Sequence, residues 1–503
     1  MKPSLPALAN VVAPAALCGV WLGLSLMTPR AFIPLPFDVL AVLPEEVESG
    51  RLVSAAAHTV GVTLAAAAAA VTAGTLTGML FGSSPRIAAW ALPSVEVLRT
   101  VPALTLIPVT VLALGPTLGT EVSLATYAAL WPMVLSTAGA VGSVHPRQFD
   151  VARTLRLGRR VTMRAVVLPG AMPVWLAGAR VSVTLGFLVA IVVEMVITTG
   201  GLGTVLIESL AAFSPERMWV YVLTCGVIGL LLNAAVQLTV AAAQPGPVLT
   251  NMTHRIGLGA PSARGLLPLG VLIIVWEIAG SPASLTVPPP SEWFLALAGL
   301  HADASLIPAI GHTLVAYLGG LVAAAVVGGA IGMALGSSPV IDRAVSPTLN
   351  FVAAVPGAVL VPVLVLLLGP NEISGIVAVG AIVAWPVLLN TAAFRRSVPP
   401  TRRDAARTLG LSSYRQWGSV TFPSSLPGVA HGVRVSSGLA LIIALLTDIF
   451  GAGAGIGRLL IESQQRFDAA EAWGLLLVVA TMGYLVSVGL SKTARVMDPV
   501  GGR

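Results

Sequence analysis

Apolar residues in this chain run in long unbroken blocks rather than in the two-residue alternation of half-buried strands or the 3.6-residue stripe of surface helices. Blocks approaching the roughly 20 residues needed to cross about 30 Å of hydrocarbon lie at 11–27, 58–81, 101–114, 122–141, 171–199 and 219–242. They recur at 267–279, 312–335, 355–368, 373–394, 428–450 and 473–491. Backbone groups in lipid must be satisfied within the segment, which favours helices. The pattern therefore predicts an all-α polytopic membrane protein of about 12 spans, six in each half, with the third of each set short. The first run continues into Met27-Thr28-Pro29 without a small-residue cleavage site, so a retained first span is expected.

The polar punctuation between the blocks repeats at a fixed offset of 254 residues. His58-Thr59 returns as His312-Thr313, Val101-Pro102 as Val355-Pro356, Trp131-Pro132 as Trp385-Pro386, and Trp219 as Trp473. So many Gly, Pro and Trp positions in one register mark a direct tandem duplication. The expected organisation is a first transmembrane unit over 1–246, a cytoplasmic linker over 247–265 and a second unit over 266–503.

Composition agrees with the blocks: 56% of residues are apolar and 10% charged, against about 25% charged in soluble domains. A formal charge of +7 could suit nucleic acid, but the arginines sit in short loops between spans, so no nucleic-acid partner is expected and membrane lipid surrounds the chain. Arg147, Arg153, Arg156, Arg159, Arg160 and Arg164 cluster around Asp150. Arg395, Arg396, Arg402, Arg403, Arg407 and Arg415 cluster around Asp404. The positive-inside rule places both loops, both termini and the linker in the cytoplasm of a cell whose plasma or inner membrane the chain crosses. Cys18 and Cys225 lie in apolar runs, which suggests packing rather than a disulfide or a thiolate metal site.

Each basic loop has internal order. In the second, Asp404-Ala405-Ala406 is followed by Leu409-Gly410-Leu411 and then by Pro423. A short helix starting at Asp404, a turn at Gly410 and a second short helix ending at Pro423 would make a rigid cytosolic knob. In the first, Asp150, Ala152, Leu155, Leu157 and Pro169 hold the matching positions, but Arg156 stands where the second has Gly410. The turn there is expected either to move to Gly158 or to be built differently. A solvated basic loop that only fixes topology, or an interfacial amphipathic helix, would need neither the glycine nor the proline.

This loop resembles the signature loop of ABC importer permeases. The whole of each unit resembles the nitrate/sulfonate/taurine branch of that family, through Val101-Pro102 with Pro108, Leu168-Pro169-Gly170-Ala171-Met172-Pro173, Gly178-Ala179-Arg180, Val193-Glu194-Met195 and Gly201-Leu202-Gly203. The resemblance implies that each loop carries a coupling helix seated in an ATPase subunit. It implies two copies of a cytoplasmic ABC ATPase as partners, with ATP and Mg used there and no cofactor bound by this chain. It also implies an extracytoplasmic solute-binding protein, and a small solute such as a sulfonate, taurine or nitrate.

The chain's only lysines are Lys2 and Lys492 and neither follows glycine, which excludes a Walker-type phosphate loop. Its six histidines form no His-x-x-x-His pair, and no catalytic or metal-binding constellation is evident. Ionisable residues within spans are functional candidates. Glu194 and Asp448 occupy equivalent positions near the outer end of the fifth spans, and Arg180 and Arg434 lie on the cytoplasmic side of the same spans. Each is expected to line the route or its gate, or to bond neighbouring helices. Glu121 and Glu372 are expected to be solvated at outer span ends. The alternative reading is an ion-gradient-driven secondary transporter with parallel six-span repeats, for which a knob on each basic loop would have no use.

Overall fold

The computed structural model describes residues 15, 18–27, 33–142, 146–243, 263–337, 345, 349, 355–398, 400–451 and 454–497. Residues 11–14 of the first expected span, most of the expected linker (247–262) and Gly453 lie outside them. The described residues contain helices and no strand.

The first half contains α1 (Cys18–Met27), α2 (Pro36–Glu48), α3 (Arg51–Ser83), α4 (Pro85–Leu98), α5 (Ile107–Leu114), α6 (Leu118–Gly142), α7 (Pro146–Thr154), α8 (Arg159–Thr162), α9 (Leu168–Ile197), α10 (Leu202–Ala211) and α11 (Pro215–Ala243). The second contains α12 (Leu267–Ala279), α13 (Pro290–Ala302), α14 (Leu306–Leu335), α15 (Leu360–Leu368), α16 (Glu372–Ser397), α17 (Pro400–Thr408), α18 (Ser413–Gln416), α19 (Phe422–Phe450), α20 (Ile456–Gln465) and α21 (Ala469–Met497). Among the described residues eight helices are long and apolar enough to cross a membrane. They are α3, α6, α9 and α11 with their repeats α14, α16, α19 and α21. The first block of each half appears as the shorter apolar helices α1 and α12.

The third block differs from expectation. Val101-Pro102 is a break inside the segment, not its start: α4 runs to Leu98, and a 3-10 turn (Ala103–Leu106) then leads into α5, the two parts being bent by 78°. Pro102, at φ −66° and ψ 136°, is extended, and proline disfavours helical backbone in the residue before it. Pro356 does the same ahead of α15.

In each half the second, fourth and fifth spans pack side by side: α3 on α6 and α6 on α9, α14 on α16 and α16 on α19. Without a hydrophobic drive between helices in lipid, such contacts rest on close backbone approach at small residues. Gly74 and Gly78 on α3, and their equivalents Gly328 and Gly332 on α14, supply it. A Cβ on Gly78 would come within 2.6 Å of the Val134 carbonyl oxygen, and one on Gly332 within 2.6 Å of the Leu388 oxygen. The fifth spans are the most enclosed: 61% of the apolar window is buried in α9 and α19, against 28% in α3, α11 and α21.

The halves interlock. Ala103, Leu104 and Ile107 from the bent segment of the first half share a core with Leu441, Leu445, Leu475 and Val479 of the second, and α5 packs on α20 and α21. Reciprocally, Val359 and Val363 enter the first half's core beside Ile191, Met195 and Tyr221. The chain entering the second half is also fastened to the first, with Ser94 Oγ donating to the Gly265 carbonyl at 2.6 Å.

Leucine at Gly78 or Gly332 is expected to destabilise the protein by about 1–3 kcal/mol or more through overpacking. Leucine at Gly61, which has open space around it, should leave stability unchanged; thermal unfolding of the purified protein in detergent compares the three.

Candidate functional site

Two features recur in both halves, one at each end of the fifth span. At the basic end, α7 and α17 are nine-residue helices that begin at Pro146 and Pro400. Asp404 is therefore the fifth residue of its helix and not its start, because proline at the first position is preset for helix and lacks only an N–H that would have no partner. Asp404 and Asp150 instead face Arg407 and Arg153 one turn on, at 3.7 and 3.6 Å, in exposed pairs of little energetic consequence.

Both short helices end in the same double hydrogen bond. Leu157 N–H reaches the Ala152 carbonyl and Arg156 N–H the Arg153 carbonyl, both at 2.9 Å; Leu411 reaches Ala406 at 3.1 Å and Gly410 reaches Arg407 at 2.9 Å. This is a Schellman closure, which needs left-handed backbone at its second-to-last position. Gly410 takes it at φ 67° and Arg156 takes it at φ 50°. The turn has thus neither moved to Gly158 nor changed form; Arg156 adopts a conformation that costs a non-glycine residue about 1 kcal/mol. Ala152 and Ala406 point inward and are buried, while Ala405 is exposed. Leu155 and Leu409 stand at the tip, 64% and 75% exposed. A five-residue π-helical turn in each half then leads into α9 and α19, with Pro169 and Pro423 in their first turns.

At the other end, Glu194 and Asp448 are fully buried. Glu194 Oε2 accepts from Thr59 Oγ1 at 2.9 Å and from Gly203 N–H at 3.0 Å. Asp448 Oδ2 accepts from Thr313 Oγ1 at 2.6 Å and Gly457 N–H at 3.2 Å. Each threonine hydroxyl also accepts the N–H of the first residue of the short helix that follows, Leu202 or Ile456. A carboxylate and a hydroxyl thereby satisfy the leading N–H groups of α10 and α20, where the helix dipole favours negative charge. A Cβ at Gly201 or at Gly455 would collide with the carboxylate, so these glycines let helix and acid meet.

The surroundings of the two acids differ. His312 Nδ1 lies 3.0 Å from Asp448 Oδ1, whereas His58 Nε2 lies 2.7 Å from Glu121 Oε2. Glu121 is fully buried, which corrects its expected solvation; Glu372 is exposed, as expected. Arg180 and Arg434 are exposed, and Arg180 Nε donates to Asn233 Oδ1 on α11 at 3.0 Å. Thr59, Thr313 and the two histidines were not singled out as site residues in the sequence, although the repeated His-Thr pair was visible. No fixed spacing links a threonine to a carboxylate 135 residues away.

Comparison with known proteins follows the same division. A family model described as "Binding-protein-dependent transport system inner membrane component" matches residues 70–246 and 307–499. The bicarbonate transport system permease protein of Synechocystis sp. is 24% identical over 270 residues, covering 51% of this chain and 95% of that protein. The nitrate import permease protein of Synechocystis sp. is 26% identical over 232 residues, covering 44% and 84%. The taurine transport system permease protein of Escherichia coli is 28% identical over 243 residues, covering 46% and 88%. Each aligns with about half of this chain.

Two substitutions test the geometry. Arg156→Gly is expected to leave the knob intact and raise stability by up to about 1 kcal/mol, and Gly410→Arg to lower it by a similar amount. Thr313→Val should cost about 1–3 kcal/mol, since it strands the buried Ile456 N–H and removes one of the two donors to Asp448 Oδ2; chemical denaturation in detergent reads all three.

Proposed function

Because this chain belongs to the family of binding-protein-dependent transport system inner membrane components, we propose that it supplies both permease units of an ATP-driven importer of a small solute. The observation that carries this reading is the pair of matching knobs, each with an exposed leucine tip, at the basic ends of the two most enclosed spans. Each knob docks one copy of a cytoplasmic ABC ATPase, with Asp150, Ala152, Leu155, Leu157, Gly158 and Pro169 on one side and Asp404, Ala405, Ala406, Leu409, Gly410, Leu411 and Pro423 on the other. ATP and Mg act in those partners, and this chain has no hydrolytic site of its own. The arginine-rich loops support a cytoplasmic position for the knobs, both termini and the linker.

Closure of the two ATPases moves the knobs, and the continuous helix from knob to outer carboxylate carries that movement across the membrane as a rigid-body shift. Glu194 and Asp448 fasten the outer helices to the fifth spans, so the outer gate moves with them. A solute-binding protein delivers solute at that face. The relatives' names include bicarbonate, nitrate and taurine transport, which favours a small anion, and Arg180 and Arg434 are the cationic side chains we assign to the inner part of its route.

Affinity purification of the full chain in detergent, followed by identification of co-purifying proteins, tests the proposal. An ABC ATPase is expected, and Leu155→Glu with Leu409→Glu should reduce its recovery and ATP-dependent uptake at least tenfold while gel-filtration behaviour stays unchanged. Absence of any ATPase, together with uptake driven by an ion gradient, would overturn it.

A further inference from the structure

Three side chains of the first half converge near the outer membrane surface: His58 on α3, Glu121 on α6 and Glu194 on α9. One ligand atom from each lies within 4.8 Å of the others. Both carboxyl groups are fully buried. Each also has one oxygen, Glu121 Oε1 and Glu194 Oε1, that is enclosed and has no hydrogen-bond partner. The opposite oxygens are occupied, that of Glu121 by His58 and that of Glu194 by Thr59 and Gly203. Two carboxylates this close in a low-dielectric setting repel unless a proton or a metal cation neutralises them, and a divalent cation balances both at once. His58 can carry at most one positive charge.

We propose that His58, Glu121 and Glu194 form a binding site for one divalent transition-metal cation of the Zn²⁺ class. One imidazole nitrogen and two carboxylate oxygens are ligands that such ions take at about 2.0–2.2 Å. Ligand atoms around a tetrahedral ion stand about 3.3 Å apart at those bond lengths, so the hydrogen bond between His58 Nε2 and Glu121 Oε2, now at 2.7 Å, gives way as Nε2 turns to the ion. The unpartnered oxygens of Glu121 and Glu194 become ligands, and the double positive charge balances both acids. His58 is 26% exposed, which leaves a path for the ion and a corner for water. The site joins the second, fourth and fifth spans at the place where Glu194 also holds α10, so the bound metal fastens the outer end of the first half.

The second half provides an internal control. Gly375 occupies the position equivalent to Glu121, and His312 turns to Asp448 instead. The expected stoichiometry is therefore one metal per chain.

The test is metal content by mass spectrometry of the full chain in detergent. The protein carries a tag without histidine and is dialysed against Zn²⁺ alone and then against metal-free buffer. One Zn²⁺ per chain is expected, falling to none in Glu121→Gln and in Glu121→Gly, the latter reproducing the arrangement of the second half and so guarding against misfolding. Asp448→Asn should keep one. The wild-type thermal midpoint should rise on adding Zn²⁺, and those of the Glu121 variants should not. Absence of metal from the wild type, or equal Zn²⁺ content in the Glu121 variants, would overturn the assignment.

Discussion

The end of the bundle opposite the basic loops depends on one kind of bond: a buried carboxylate meeting the first N–H groups of a short helix. A helix of ten residues leaves leading N–H groups without internal partners, and the first two residues of α10 and of α20 are buried. Glu194 and Asp448 meet them from the ends of the fifth spans, with Thr59 and Thr313 completing the set from the second spans. Three elements of each half are thus tied at one point. The acid cannot be exchanged for an apolar residue without stranding an N–H, nor the glycines for larger residues without displacing the acid. The same bond stands at the far end of the helix that leads away from each knob, so the proposed coupling runs toward it.

Much of this was legible in the sequence because membrane insertion and duplication both leave coarse signals. Long apolar blocks, arginine-rich loops and a constant offset of 254 pointed to the helices, the two halves and the positions of both knobs. What escaped was local geometry. Val101-Pro102 opens an apolar block, yet its proline breaks the segment, since the preceding helix α4 is moderately apolar and its membership of the same element shows only in space. Asp404 suits a helix start, but Pro400 suits one better and lies four residues earlier. Arg156 argues against a left-handed turn on residue type alone, yet the Schellman hydrogen bonds hold it there. Glu121 looked solvated because it lies at the end of an apolar block. Its burial against His58 comes from the packing of α3 on α6, which no spacing within α6 encodes.

The two halves have kept their architecture while their polar chemistry diverged. Glutamate in one is aspartate in the other at the buried carboxylate of the fifth span, and the shorter acid is accompanied by a histidine that reaches it directly. Where the first half adds Glu121, the second has Gly375, and the space beside Ala316 closes instead around small residues. Arginine replaces glycine in one knob turn at a cost of about 1 kcal/mol, a small penalty against the packing of two interlocked bundles.

That divergence is intelligible from how the halves are joined. The bent segment of the first half lies in the core of the second, and Val359 and Val363 lie in the core of the first. Each half thus completes part of its core with residues of the other. Two identical subunits would satisfy the same packing, but every substitution would then appear on both sides of the interface. A single chain always pairs unlike halves in a one-to-one ratio. An extra acid at position 121, or a strained arginine at 156, is then sampled once per molecule and balanced by an unaltered counterpart. The tandem arrangement therefore turns a symmetric packing requirement into a scaffold on which the two sides can hold different chemistry at equivalent points.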